Sequence, residues 1–291
     1  MKKPNTTIEG KNVMVGAVLT NRVIPASSLL GVGPFLLLDH SYPVTYQPGR
    51  RFTPAINEHP HRGLVSLTYV IKGEVEHIDS LGNHAFAADG GAHWLSSAKG
   101  VLHGERVSAR VMESGGVVHA IQFWTNIPSA HKGDPPQYKA LNSDDFPIAP
   151  LADYAGELRV LLGNCGSIKS PVESLSQAFL YRVTLNAKSE LRLPVGQGMK
   201  SAVFVPDNMV VVNGDSIEKS QLLVIENSEE GIALRNPGIS KVDVFVLGGP
   251  EPDEPIVVQG PFVMNSQKEI ADAYRDFFAG KYGVFPKVTK V

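Results

Sequence analysis

The sequence has a single cysteine, Cys165, in 291 residues. An intrachain disulfide is therefore excluded, and a thiol that follows the apolar run 158–162 reads as buried and inert. Net charge is nearly absent as well: 27 Lys and Arg stand against 29 Asp and Glu. That balance gives no electrostatic reason to expect nucleic acid or an anionic membrane as a partner. No apolar run approaches the roughly 20 residues needed to cross a bilayer. The polar start, residues 1–7, lacks the apolar stretch of a secretory signal. A soluble, cytoplasmic protein is expected, with the nucleus as an alternative in a eukaryote. The chain carries no nucleophile elbow, no P-loop and no dinucleotide-binding glycine motif. Finally, none of its nine histidines lies beyond His131, so the second half cannot hold a histidine-based site.

Glycine (28) and proline (21) are scattered between short apolar or alternating runs at 12–20, 34–39, 65–72, 75–79, 84–88, 92–97, 101–107 and 117–125. This rhythm predicts an all-β sandwich or barrel. Ser80-Leu81-Gly82-Asn83 reads as a hairpin turn. Residues 127–150 hold five prolines and break the rhythm, which marks an inter-domain connection. The strands then resume from 158 to 247. Two β-rich halves of similar strand count predict a duplicated fold, with domains at 1–130 and 131–291. Near 266–280 a helix is expected. Ser266 and Glu269 form a capping box, Ile270, Ala273, Tyr274, Phe277 and Phe278 make an apolar stripe, and Gly280 sits where the helix must end.

The chemistry concentrates between Glu58 and Glu105. His59-Pro60-His61 and His103-Gly104-Glu105 each place two potential ligands at i and i+2. Along a strand such residues share a face. If the two strands are neighbours, His59, His61, His103 and Glu105 form a pocket of three imidazoles and one carboxylate. That donor set suits Fe(II), Ni, Co, Mn or Zn alike. Four protein ligands leave one or two positions of an octahedral ion open, which points to catalysis or ligand binding. Of the remaining histidines, His77 and His84 flank the hairpin turn and read as a solvent-facing pair. His93 and His119 read as ordinary strand residues or as partners of the ligands, and His40 and His131 as loop residues. Arg62 reads as an exposed arginine.

These residues resemble a known family. Pro34-Phe35-Leu36-Leu37-Leu38-Asp39, His59-Pro60-His61-Arg62-Gly63, Gly73-Glu74-Val75-Glu76-His77, Gly100-Val101-Leu102-His103-Gly104-Glu105 and Phe123-Trp124-Thr125-Asn126-Ile127-Pro128 match the pirin pattern in order. So does Gly260-Pro261-Phe262-Val263-Met264-Asn265 near the end. The N-terminal half resembles the cupin superfamily, and the chain as a whole looks like a pirin.

The resemblance implies two jelly-roll cupin barrels packed face to face, with one divalent metal in the first only, held by His59, His61, His103 and Glu105. It implies Fe(II), with Ni, Co, Mn, Cu or Zn as alternatives. It further implies quercetin 2,3-dioxygenase activity on a flat, enolisable, flavonol-like substrate and O2; in such a site Glu105 or a bound hydroxide takes the substrate's proton. The alternative it carries is a non-enzymatic, metal-bearing redox sensor and transcriptional co-regulator with a protein partner. A third and weaker option is a metal-dependent isomerase. Two positions depart from the family pattern: Val65 stands where an acidic residue is usual, and Asp89-Gly90-Gly91 replaces a Pro-Gly-Asp turn.

Overall fold

The computed structural model describes residues 5–49, 56–226 and 231–286. Residues 1–4 of the polar start lie outside them. The chain forms two compact units. One takes Val13–Thr20, Ser41–Asp144 and Asp253–Val291; the other takes Met1–Asn12, Asn21–His40 and Asp145–Pro252. Both are cupin barrels of antiparallel strands.

A seven-stranded sheet that lies mostly in the unit with the histidine cluster runs in the order Gln137–Leu141, Ala92–Ser96, Leu64–Lys72, Gly116–Asn126, Phe35–Tyr46, Val18–Ile24 and Lys11–Val15. A four-stranded sheet runs His59–His61, Val101–Val107, Glu74–Asp79, His84–Ala88. The other unit repeats the scheme. Its seven strands are Thr6–Glu9, Gln221–Ile225, Met199–Val205, Val242–Pro250, Phe179–Leu185, Gly156–Leu162 and Ile148–Pro150. Its four are Glu190–Leu193, Ile232–Arg235, Val210–Val212 and Asp215–Ile217. Two curved sheets with alternating faces are the jelly-roll solution to burying strand edges.

The interiors differ in chemistry. The second unit is filled by aliphatic side chains such as Val160, Val183, Val203, Val212, Leu234 and Val244. In the first unit His61, Thr68, His77, Asp79, His93 and His103 are buried instead. Buried polar groups cost free energy unless each finds a partner, so this interior is built around interactions that the other lacks.

The hairpin at Ser80–Asn83 forms as expected. Asp79 Oδ1 accepts from the backbone N–H groups of Leu81 (2.9 Å) and Asn83 (3.0 Å), the usual way an aspartate fixes a turn. The terminal helix spans Gln267–Phe278, with Ser266 Oγ accepting from the Glu269 N–H and Glu269 Oε2 accepting from the Asn265 N–H. Its stripe is narrower than expected. Ile270 and Ala273 are buried with Phe262, Met264 and Tyr282, while Phe278 is 80% exposed.

Three expectations are corrected. The run 12–20 is not one strand, because a turn at Gly16 (φ +58°) divides Lys11–Val15 from Val18–Ile24. The proline-rich stretch 127–150 is not merely a connection: Gln137–Leu141 pairs antiparallel with Ala92–Ser96 and joins the first barrel. A single cut after residue 130 does not separate the units either. Thr6–Glu9 pairs with Gln221–Ile225 in the second unit, whereas the segment from Asp253 onward belongs to the first.

Candidate metal centre

The strand His59–His61 lies antiparallel to Val101–Val107, with His103 opposite His59 and Val101 opposite His61. On its other side Val101–Val107 pairs with Glu74–Asp79, placing Glu105 opposite His77 and His103 opposite Asp79. Directly opposed residues of an antiparallel pair share a face. One face of the sheet thus carries His59, His61, His103, Glu105, His77 and Asp79.

Three imidazoles converge. Ring centroids of His59, His61 and His103 are 4.7, 4.6 and 4.9 Å apart, and one nitrogen from each lies within 4.8 Å of the others. Their protonation pattern follows from their partners. His61 Nδ1 lies 3.0 Å from the Pro261 carbonyl, and His59 Nδ1 lies 2.8 Å from the Asn57 carbonyl. A carbonyl only accepts, so both rings carry the proton on Nδ1 and turn the Nε2 lone pair away from it. His61 Nε2 and both nitrogens of His103 are buried without a hydrogen-bond partner. Burial, reinforced by the neighbouring His59, pushes the His61 pKa down to about 3, and burial likewise holds His103 well below the usual histidine range. Neutral imidazoles with orphaned lone pairs suit a divalent cation, and the carbonyls behind His59 and His61 give those two rings the support that metal-binding histidines ordinarily have.

Glu105 stands beside this triangle. Its Oε2 accepts from Thr68 Oγ1 at 2.9 Å, and its Oε1 lies 3.5 Å from His77 Nδ1. Burial alone would raise the pKa of Glu105. The neighbouring His77 and His93 rings and the Thr68 hydroxyl outweigh it and hold the carboxyl below its ordinary value. Glu105, His77 and His103 form a second group of three donor atoms within 4.8 Å. All four residues named from the sequence are therefore brought to one place, with Glu105 grouped with His103 and His77 and not with His59 and His61.

Other assignments change. His77 is not a solvent-facing partner of His84. It is fully buried, with Nε2 3.2 Å from Asp79 Oδ2. Burial would lower its pKa, but the two flanking carboxylates, Asp79 and Glu105, raise it. His84 alone faces outward, 2.8 Å from Glu76 Oε1. His40 is no loop residue: it lies in Phe35–Tyr46, fully buried, edge-on to Phe204. Arg62 is not free, because its guanidinium pairs with Asp276 at 2.8 Å. Cys165 is half-buried, with its thiol pKa raised by burial. His131, expected in a loop, ends the short 3-10 turn Ser129–His131 and is exposed. Val65 is an ordinary core residue.

Tyr138, Gln122, Thr68 and Asp79 were missed. The same i, i+2 rule reaches three of them: His77 with Asp79 and Gln122 with Trp124 repeat the spacing that exposes His59 with His61, and Thr68 lies opposite Gln122.

Comparison with known families is decisive at this point. The Pirin family profile matches residues 17–125, and that of the Pirin C-terminal cupin domain matches residues 180–283. The chain belongs to the pirin family. A Pseudomonas aeruginosa pirin relative that carries the provisional name quercetin 2,3-dioxygenase is 36% identical over 251 residues, 86% of this chain and 87% of the relative. The crystal structure of quercetin 2,3-dioxygenase from Acinetobacter baumannii superposes with a TM-score of 0.88 at 32% identity, covering 97% of this chain and 99% of that one. The Escherichia coli bacterial pirin in complex with nickel(II) shares the fold, with a TM-score of 0.67 at 19% identity over 86% of this chain and 100% of that one. The chain is a two-cupin protein with a histidine-rich site able to hold a divalent metal.

Proposed function

We propose that the protein is a metal-dependent dioxygenase of the quercetin 2,3-dioxygenase type, which opens the flavonol ring with O2 and releases CO. The observation that carries this reading is the convergence of three imidazoles, two of them (His61 and His103) held neutral by burial, beside the half-buried carboxylate of Glu105, whose pKa is lowered. The names of the Pseudomonas and Acinetobacter relatives support the substrate class. His59, His61, His103 and Glu105 are assigned as ligands of one divalent ion, with Fe(II) preferred. The nickel complex of the E. coli relative favours a site that tolerates other divalent ions.

When bound, the ion supplies Lewis acidity toward the flavonol oxygens and redox chemistry toward dioxygen. The residues supply the rest. The carbonyls of Pro261 and Asn57 hold His61 and His59 in the tautomer that leaves Nε2 free. Glu105, kept ionised by its donors, takes the proton of the flavonol 3-hydroxyl and so yields the electron-rich enolate that reacts with O2. In the net reaction both atoms of O2 are retained and one ring carbon leaves as CO.

The test is oxygen uptake and CO release by the iron-loaded protein with quercetin, beside His103→Ala prepared in the same way. Uptake matched by CO, and lost in His103→Ala, is the expected result. Absence of uptake with one metal bound per chain would overturn the enzyme reading and favour a metal-bearing regulator that acts through a protein partner.

A further inference from the structure

Behind Glu105 a line of side chains runs through the seven-stranded sheet. Gln122 is opposite Thr68 in register, and Trp124 lies two residues along on the same face. Trp124 Nε1 is 3.1 Å from Gln122 Oε1, Gln122 Nε2 is 2.9 Å from Thr68 Oγ1, and Thr68 Oγ1 is 2.9 Å from Glu105 Oε2.

The direction of this chain is fixed by its two ends. An indole N–H can only donate, so Gln122 must present its oxygen to Trp124 and its NH2 to Thr68. The amide NH2 also only donates, so Thr68 accepts there. Its one hydroxyl proton is then left for the carboxylate, which only accepts. Amide and hydroxyl orientations that an isolated pair would leave open are settled by a donor-only group at one end and an acceptor-only group at the other. The two oxygens of Glu105 become inequivalent. Oε2 is claimed by Thr68, whereas Oε1 faces His77 Nδ1 at 3.5 Å, beyond hydrogen-bond reach. The Trp124 indole also stands edge-on to His61, with centroids 4.9 Å apart, so one side chain touches the imidazole triangle and begins the chain to the carboxylate.

We propose that Trp124, Gln122 and Thr68 form a positioning relay that ties down Glu105 Oε2 and reserves Oε1 as the oxygen that serves the site, as metal ligand or proton acceptor. This rests on the ligand assignment given under Proposed function. None of the three touches the ion or the substrate in this scheme; they act through Glu105.

The test is Ni(II) affinity and the visible d–d spectrum of the Co(II)-loaded protein. Thr68→Val, which keeps the shape and removes the hydroxyl, is expected to weaken Ni(II) binding by about 10- to 100-fold and to shift the Co(II) bands. Thr68→Ser should restore both. Trp124→Phe frees the Gln122 amide and should shift the spectrum in the same sense with a smaller loss of affinity. His61→Ala is measured alongside. If His61→Ala abolishes binding while Thr68→Val keeps the wild-type affinity and spectrum, the relay is wrong and the ligand set stands. If His61→Ala binds as wild type, the ligand set is wrong and the relay falls with it.

The first link has a metal-free readout. The sequence has two tryptophans, so Trp94→Phe identifies the Trp124 indole signal by NMR. Gln122→Leu should speed exchange of that indole proton by about tenfold, the worth of one hydrogen bond. Unchanged exchange would overturn the link.

Discussion

Tyr138 lies flat on His77, with ring centroids 4.1 Å apart and planes 10° apart, and its hydroxyl is 2.8 Å from His93 Nδ1. His93 Nε2 is 3.0 Å from the Val75 carbonyl, which only accepts. The proton of His93 therefore sits on Nε2, and Tyr138 donates to the bare Nδ1. Burial agrees with this assignment, since it lowers the pKa of His93 and raises that of Tyr138.

Separating the two contacts of Tyr138 gives a first prediction. Tyr138→Phe keeps the stack and loses the hydrogen bond, at a cost of about 1 kcal/mol. Tyr138→Ala loses both and should cost about 3–5 kcal/mol, as for other large aromatic truncations. Denaturant unfolding of the two variants measures the difference. Equal losses would mean that the stacking contributes nothing.

His77 separates two carboxylates, buried Asp79 and half-buried Glu105. His77→Gln would leave them without the imidazole whose protonated form they favour, and we expect a loss of stability, since removing one partner of a buried pair is destabilising. Reversing the order of charge removal checks the reason. Asp79→Asn introduced into His77→Gln should recover part of the loss, and a further loss would contradict the electrostatic account.

Gly63 has φ +79°, and a Cβ there would sit 1.9 Å from the Val263 carbonyl oxygen. Gly63→Ala must displace the turn that also carries Pro261, the acceptor for His61 Nδ1. We expect about 2 kcal/mol or more of destabilisation, given the strained backbone and the clash. Metal affinity should fall as well. A stable variant with wild-type affinity would show that the turn does not position His61.

The pH dependence has a definite sign. His61 falls from an ordinary 6.5 to about 3 in the folded chain, and His103 moves the same way. Below pH 6.5 the unfolded chain takes up protons that the folded chain refuses. Their contribution to stability is complete above pH 6.5 and is lost as pH falls toward 3. His77, with its raised pKa, works in the opposite sense: its contribution is present at low pH and is lost as pH rises through its folded value. His93 is lowered by burial as well, so three lowered histidines outnumber it. The metal-free protein should therefore lose stability as pH drops from about 6.5. His61→Gln should flatten that slope, as chemical denaturation across pH would show, and an unchanged slope would contradict the burial account.

Much of the site was legible because strand alternation is local. Two i, i+2 pairs were enough to bring His59, His61, His103 and Glu105 together, and the capping box marked the last helix within a residue. What escaped depended on pairing across long sequence separations. Gln137–Leu141 is a short, mostly exposed edge strand between prolines, without the apolar alternation that announces a strand, so Tyr138 looked like linker. His77 looked exposed because it borders a turn, yet every residue of Glu74–Asp79 is buried on both faces. The division of the chain between the two barrels was invisible for the same reason. Nothing in Thr6–Glu9 names Gln221–Ile225 as its partner.

That division sets a timetable for biosynthesis. His61 leaves the ribosome 200 residues before Pro261, whose carbonyl fixes its tautomer, and Arg62 precedes its partner Asp276 by 214. At about 5–20 residues per second, the nascent histidines wait roughly 10–40 s for the segment that completes their setting. The strand Thr6–Glu9 waits similarly for Gln221–Ile225. The cluster reaches its final arrangement only after translation has passed the second barrel, so acquisition of the ion in that arrangement is a late event in the life of the chain.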